Sequence, residues 1–173
     1  MISVLHESRI FVFINCIYMV KALPQLFLRL ALGAGFFILG LDRLGVWGPY
    51  GKPWVSWGDW KHFSTYAHEV MGFLPGGLAE ALAIIATVAE ISFGILLLPG
   101  VFIRQAAFGS GVLTGCFAIA MAITYGITSP INYSVFTVSA ASFLLSAQPR
   151  YRWSLDSFWR GRSMGGRGRE FVQ

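Results

Sequence analysis

The chain has 173 residues, of which 55% are hydrophobic, 16% aromatic and only 12% charged, and its mean hydropathy is +0.63. Soluble domains carry about 25% charged residues, so this composition argues against a water-soluble globule and predicts an integral membrane protein. The net charge of +5 does not indicate nucleic-acid binding, because six arginines lie beyond Gln148, where they fit membrane topology or anionic headgroups better.

Residues 1–22 form a predicted N-terminal extension. Their apolar run, 10–20, is too short to span a bilayer and no small-residue cleavage site follows a basic start, so a signal peptide is not favoured. We interpret the extension as a short surface-lying or packed helix. Residues 23–147 are then the transmembrane domain, and 148–173 a basic, disordered tail on the cytoplasmic side.

Four stretches of the domain predict membrane-spanning helices, because each is apolar and about as long as the ~20 residues that cross a bilayer. Small or polar residues recur at helical spacing in these stretches and predict faces that pack against neighbouring helices. The predicted spans are 25–44, which Pro24 introduces, 78–98, 102–125 and 131–147. The fold class is therefore an all-α, integral membrane four-helix bundle.

A long connection between the first two spans, residues 45–77, is here called the tryptophan loop. Its indole rings are of the kind enriched at headgroup depth. Asp59 can cap a short amphipathic helix that begins at Trp60, so the loop predicts an interfacial helix. The basic residues place both termini in the cytoplasm and this loop outside, as the first extracytoplasmic loop.

Charged side chains inside the spans are the candidates for chemistry. Glu90 lies about eight residues from the end of its span and Arg29 about six residues into the first, so their depths are similar and they predict a pair. Arg43 and Glu80 predict a second pair at the outer face, and Arg104 can join the first. Both pairs can be structural locks, or Glu90 and Arg29 can form a catalytic site that handles a proton or ligand.

Motifs of familiar catalytic sites are not found in the sequence. Cys16 and Cys116 are distant and neither belongs to a CxxC pair, which gives no disulfide framework or zinc signature. His62 and His68 are six residues apart and do not share one helical face, so no metal site is predicted. No predicted span contains a histidine for haem, and no nucleotide fingerprint or nucleophile elbow is present.

Three segments together resemble a known family. They are LRLALGAGFFILGLDRL at 28–44, ATVAEISFGILLLPGVFIRQAA at 86–107 and SPINYS at 129–134. In this order and spacing they resemble DoxX-like membrane proteins, four-helix proteins related to the DoxD subunit of thiosulfate:quinone oxidoreductase. Leu41-Asp42-Arg43 departs from the glycine and lysine that often end the family's first helix. The resemblance implies a bacterial cytoplasmic membrane and a link to membrane redox chemistry.

The leading hypothesis is a redox-associated subunit that binds quinone between the tryptophan loop and the bundle. The candidate ligand-binding residues are Arg104, Trp57, Trp60 and Tyr133. Because no cofactor motif is present, a quinone or a soluble or membrane redox partner would have to supply electrons. Two alternatives stay open: a non-catalytic membrane scaffold that holds soluble partners, and a small-molecule or proton carrier.

Overall fold

The computed structural model describes residues 2–158, with side chains from Ala22 onward, and this part of the chain is helical with no β-strand. The helices are α1 (Ile2–Asp42), α2 (Trp60–Val70), α3 (Gly76–Leu97), α4 (Ile103–Tyr125), α5 (Thr128–Asn132) and α6 (Val135–Ser146). Three stretches are long and apolar enough to cross a membrane: Ala22–Asp42, Gly76–Leu97 and Ile103–Tyr125. The prediction of an all-α membrane protein is confirmed at this level.

The first helix is longer than the sequence predicts. It continues from Ile2 through Pro24 to Asp42, whereas a separate extension and a span starting at Gln25 are expected. Proline removes one backbone donor and usually ends or kinks a helix. Membrane helices tolerate it because neighbouring groups satisfy the freed carbonyl, so Pro24 does not set the start of this helix.

Close glycine contacts hold α1 and α3 together in antiparallel register. A Cβ added at Gly94 would lie 2.6 Å from Phe37 Cβ, and one added at Gly40 would lie 2.6 Å from Ile91 Cγ1. Small residues allow this approach between membrane helices. The predicted packing face of α1 is confirmed as buried; its members are Arg29, Gly33, Phe36, Gly40 and Arg43.

The predicted fourth span, 131–147, is divided in the structure. α5 ends at Asn132, and Ser134 takes a left-handed conformation with φ of 56° before α6 begins. α6 has 12 residues and rises about 18 Å, which is short of the ~30 Å hydrocarbon core. It packs along α4, where Ser139 Oγ donates a 2.8 Å hydrogen bond to Gly111 O.

The helix predicted inside the tryptophan loop is present as α2. Asp59 caps it as expected, because its side chain accepts a 2.9 Å hydrogen bond from His62 N. Its apolar face, formed by Phe63, Ala67 and Val70, is buried and contacts α3. This face is therefore covered by protein, and an interfacial position for α2 stays a prediction.

Part of the predicted disordered tail is ordered. Leu155 N donates to Pro99 O at 3.3 Å and Asp156 N to Gly100 O at 3.2 Å, so residues 149–158 fold back onto the turn between α3 and α4. Tyr151 packs against the core of the bundle. Composition alone suggested disorder because arginine and glycine dominate the last part of the sequence. Residues 159–173 of the predicted tail lie outside the described residues.

Candidate functional site

The centre of the candidate site is a buried ion pair between α1 and α3. Arg43 follows the last residue of α1, and its Nη2 lies 2.7 Å from Glu90 Oε2. Both side chains are less than a tenth exposed, at 7% and 8%. Arg43 Nη1 also donates a 2.9 Å hydrogen bond to Thr87 Oγ1, one turn earlier on α3. A charge pair of this kind persists away from water only because each charge compensates the other.

An aromatic ring of α2 covers the arginine. The guanidinium carbon of Arg43 lies 3.8 Å from the centroid of the Phe63 ring, which is a cation–π contact. Phe63 is 2% exposed. The tryptophan loop therefore closes over the ion pair through α2, and three segments of the chain meet at one cation.

Asp42 fixes the part of the loop that leads into α2. Its Oδ2 accepts hydrogen bonds from the backbone amides of Ser56, at 2.9 Å, and Trp57, at 2.7 Å. The Trp57 ring then lies 4.7 Å from the Tyr66 ring and 5.6 Å from that of Phe63, measured between centroids. These rings form an aromatic wall beside the ion pair.

Buried polar atoms at this site have unused hydrogen-bonding capacity. Asp42 Oδ1 and Arg43 Nε are buried and have no hydrogen-bond partner among the described residues, and Glu90 Oε2 has the ion pair with Arg43 as its contact. Buried polar groups are normally satisfied by protein, water or a ligand. One donor and one acceptor next to an aromatic wall are the groups with which a small polar head could be bound.

The predicted pair of Arg29 and Glu90 is wrong. Arg29 Nη2 donates a 3.0 Å hydrogen bond to Trp153 O, and the side chain lies against Gly100. The glycine contacts of α1 and α3 put Arg29 about 12 residues, or roughly 18 Å, along the helix from the position that faces Glu90. The prediction compared the depth of each residue from the end of its own predicted span. Such a comparison does not determine the axial register between α1 and α3.

The predicted pair of Arg43 and Glu80 is also wrong. Glu80 instead accepts hydrogen bonds from Trp60 Nε1 at 2.9 Å and Ser64 Oγ at 2.6 Å, and His68 Nε2 lies 3.7 Å from it. α1 has ended before it reaches the level of Glu80 on α3. The Glu80 carboxylate therefore links α2 to α3 through hydrogen bonds, while Arg43 forms its ion pair with Glu90.

Two of the four candidate ligand-binding residues come together. The rings of Trp57 and Trp60 both contact the Phe63 ring, at 5.6 and 5.5 Å between centroids. The other two lie elsewhere. Tyr133 is 74% exposed just after α5. Arg104 lies in the first turn of α4 and lines a separate cavity at the end of the bundle where α3 and α4 join. Their roles in binding stay predictions.

The site contains residues that the sequence patterns did not single out. Asp42, Phe63, Tyr66 and Thr87 all contribute to it, and none of them is among the site residues predicted from the sequence. The sequence signal for this site is the adjacent pair Asp42-Arg43 at the end of a predicted span. In the structure, Arg43 pairs with Glu90 of α3, and Asp42 binds the backbone of the tryptophan loop.

Two ionisable groups of α2 and its cap are perturbed by their surroundings. The pKa of Asp59 is lowered, chiefly because its carboxylate accepts the His62 backbone hydrogen bond. Burial raises the pKa of Tyr66. A phenol is already neutral at physiological pH, and burial favours that neutral form further, so the aromatic wall is uncharged.

The sequence model of the DoxX family matches residues 25–126, more than half of the chain. The matched region includes the residues of the buried ion pair as well as α2, α3 and α4. The chain belongs to the DoxX family. The resemblance read from the sequence segments is thus confirmed. No curated protein and no solved structure matches the chain. Membership together with the three apolar helices makes this DoxX family member an integral membrane protein.

Proposed function

We propose that this DoxX family member is a redox-associated subunit that binds quinone between the tryptophan loop and the bundle. The observation that supports the proposal is the ion pair of Arg43 and Glu90 beneath an aromatic cover. A flat, apolar quinone ring suits the wall of Trp57 and Tyr66, and its carbonyl oxygen is an acceptor for the unused Nε donor of Arg43.

The cost of burying charge favours a functional role for this pair. A charged side chain at the centre of a bilayer costs at least about 2.5–3.5 kcal/mol on insertion scales, and such residues usually mark ligand or proton pathways. Well-packed apolar residues could join the same two helices without that cost. Glu90 is the group that exchanges a proton, and Arg43 holds the carboxylate and the quinone oxygen.

Quinone reduction consumes two electrons and two protons, and this chain supplies only the binding site and the proton relay. Electrons would come from a partner oxidoreductase, soluble or in the membrane. The proposed location is the bacterial cytoplasmic membrane that the family resemblance implies. The distribution of basic residues favours an orientation with both termini in the cytoplasm and the tryptophan loop outside.

The experiment measures quinone by mass spectrometry in lipid extracts of protein purified in mild detergent. Glu90→Gln keeps the side-chain shape and removes the charge. Glu80→Gln is the matched control, because it alters a carboxylate of the same helix that contacts α2 instead of Arg43. We expect quinone with the wild type and the control, and depletion in a folded Glu90→Gln variant.

The contrary result is equally clear. If no sample holds quinone and Glu90→Gln only melts earlier, the ion pair is a structural lock. The better explanation would then be a non-catalytic scaffold. Trp153 and Leu155, which are exposed on the ordered segment 149–158, offer a contact surface for its partners. Partners that co-purify without quinone would support it. A small-molecule or proton carrier would instead require transport that depends on Glu90.

A further inference from the structure

A cavity lies at the end of the bundle where α3 joins α4, whereas Glu90 of the ion pair lies seven residues before the last residue of α3. Its volume is about 700 Å³, and it is bounded by the first turn of α4 and by residues 149–157. The backbone hydrogen bonds from Leu155 to Pro99 and from Asp156 to Gly100 hold these two walls together. The cavity is therefore built by the fold and is separate from the proposed quinone site.

The lining of this cavity is strongly basic. Arg104, Arg150 and Arg152 contribute three positive charges, and Asp156 contributes the one negative charge. Arg104 Nη2 makes a long, 3.4 Å hydrogen bond to Gln148 O, and its side chain also interacts with the hydroxyl group of Tyr151. Arginine presents a planar fork of donors that matches the oxygens of phosphate.

The start of α4 adds to this positive potential. Two lining residues, Arg104 and Gln105, belong to its first turn, which contains no acidic residue and has no side-chain cap. The first amide groups of a helix lack intrahelical acceptors and carry partial positive charge. An anion in the cavity would therefore interact with both the guanidinium groups and the end of the helix.

The position of the cavity points to a lipid. It lies where two candidate membrane spans meet, between the end of α3 at Leu97 and the start of α4 at Ile103. Phe102, 59% exposed, and Trp153, 49% exposed, flank it in sequence. Basic groups beside exposed apolar rings at a span end match a molecule with a phosphate head and acyl chains.

We propose that this cavity binds the phosphate headgroup of an anionic phospholipid from the adjoining leaflet. Arg104 and Arg150 contact the phosphate oxygens, and Asp156 limits the affinity through its negative charge. Bound lipid would bridge α4 and residues 149–157, and so stabilise the end of the bundle. This site does not depend on quinone binding at the ion pair, because neither Arg43 nor Glu90 lines the cavity.

The test measures lipid binding to delipidated protein by native mass spectrometry, with phosphatidylglycerol as the probe and phosphatidylcholine as the zwitterionic comparison. The loss variants are Arg104→Gln and Arg150→Gln, and the gain variant is Asp156→Asn. Lys52→Gln is the control, because it removes an exposed charge from the tryptophan loop. We expect each loss variant to weaken phosphatidylglycerol binding about fivefold, and the gain variant to tighten it by a similar factor.

Phosphatidylcholine should bind weakly to every variant, and Lys52→Gln should match the wild type. Unchanged phosphatidylglycerol binding in the two arginine variants would overturn the proposal. If those variants fail to fold, unchanged binding in Asp156→Asn would overturn it instead. A parallel titration with inorganic phosphate separates the sources. If phosphate alone binds as tightly as the lipid and depends on the same residues, the cavity is a free-phosphate site and the lipid proposal is wrong.

Discussion

Arg43, just beyond the last turn of α1, is ion-paired at 2.7 Å with Glu90, which lies past the middle of α3. The two residues meet because α1 ends partway along α3 in their antiparallel register. Phe63 then covers the arginine from the α2 side. One cation thus joins three helices, and the first prediction concerns this contact.

Removing one member of the ion pair should destabilise the protein strongly. Arg43→Gln leaves the Glu90 carboxylate without a counter-charge and should cost about 3–5 kcal/mol, because the desolvation of that charge is no longer offset. Thermal unfolding in detergent measures the effect. A double-mutant cycle of Arg43→Gln with Glu90→Gln should give a coupling energy of about 1–3 kcal/mol.

The same cycle with Arg29→Gln and Glu90→Gln is the control. Their coupling energy should be within about 0.5 kcal/mol of zero, because the two residues are far apart and share no partner. A strong coupling between Arg29 and Glu90, with a weak one for Arg43, would contradict the observed register.

A methyl group at Gly94 should disturb the contact of α3 with α1. Its Cβ would lie 2.8 Å from the backbone Cα of Phe37, which cannot rotate away, so Gly94→Ala should cost about 1–3 kcal/mol. Gly35→Ala is the matched control, because nothing lies within 4 Å of its added Cβ. That control should be neutral or up to about 1 kcal/mol more stable, owing to the better helix propensity of alanine. Equal melting temperatures for the two variants would argue against the close packing.

Asp42→Ala should loosen the first half of the tryptophan loop. The amides of Ser56 and Trp57 would lose their carboxylate acceptor, which should cost about 1.5–3 kcal/mol. Tryptophan fluorescence and limited proteolysis between residues 45 and 58 measure the change. Lys52→Ala, an exposed position in the same segment, should leave both unchanged. A loop that stays protected in Asp42→Ala would show that other contacts hold it.

Acidification should weaken the start of α2. The pKa of Asp59 is lowered from its ordinary value of 3.8 by the hydrogen bond from the His62 amide, so its stabilising effect is present above that value. It is lost as the pH falls through the lowered pKa, when the capping carboxylate becomes protonated. Hydrogen exchange at the His62 amide, corrected for the intrinsic rate, should rise in that range. Asp59→Asn keeps a capping oxygen but cannot titrate, so its exchange should not show this additional acid-dependent step.

Several elements could be predicted because their signals are local. The apolar stretches of α3 and α4 have the length of a span, and the order Asp59 followed by an apolar helical repeat marks the start of α2. Glycine, arginine and phenylalanine residues at helical spacing correctly marked the buried face of α1. The family could also be identified from the sequence, because the segments that resemble DoxX proteins keep their order and spacing along the chain.

The errors arose where the answer depends on distant parts of the chain. Ser134 divides the expected fourth span through a left-handed backbone conformation that its residue type does not signal. Residues 149–158 are ordered because the turn after α3 offers backbone acceptors, although their composition resembles that of a tail.

The sequence by itself determined the membrane environment, the three long apolar stretches, the packing face of α1 and the ionisable residues that lie within these helices. These properties follow from hydropathy and from a period of 3.6 residues, which each segment carries alone. Only the tertiary structure decided that Glu90 pairs with Arg43 and that Arg29 binds the Trp153 carbonyl. The partner of each charged residue depends on the axial register of two helices. That register is set by close glycine contacts between residues 51 to 64 positions apart in sequence, such as Gly40 with Ile91 and Gly33 with Leu97.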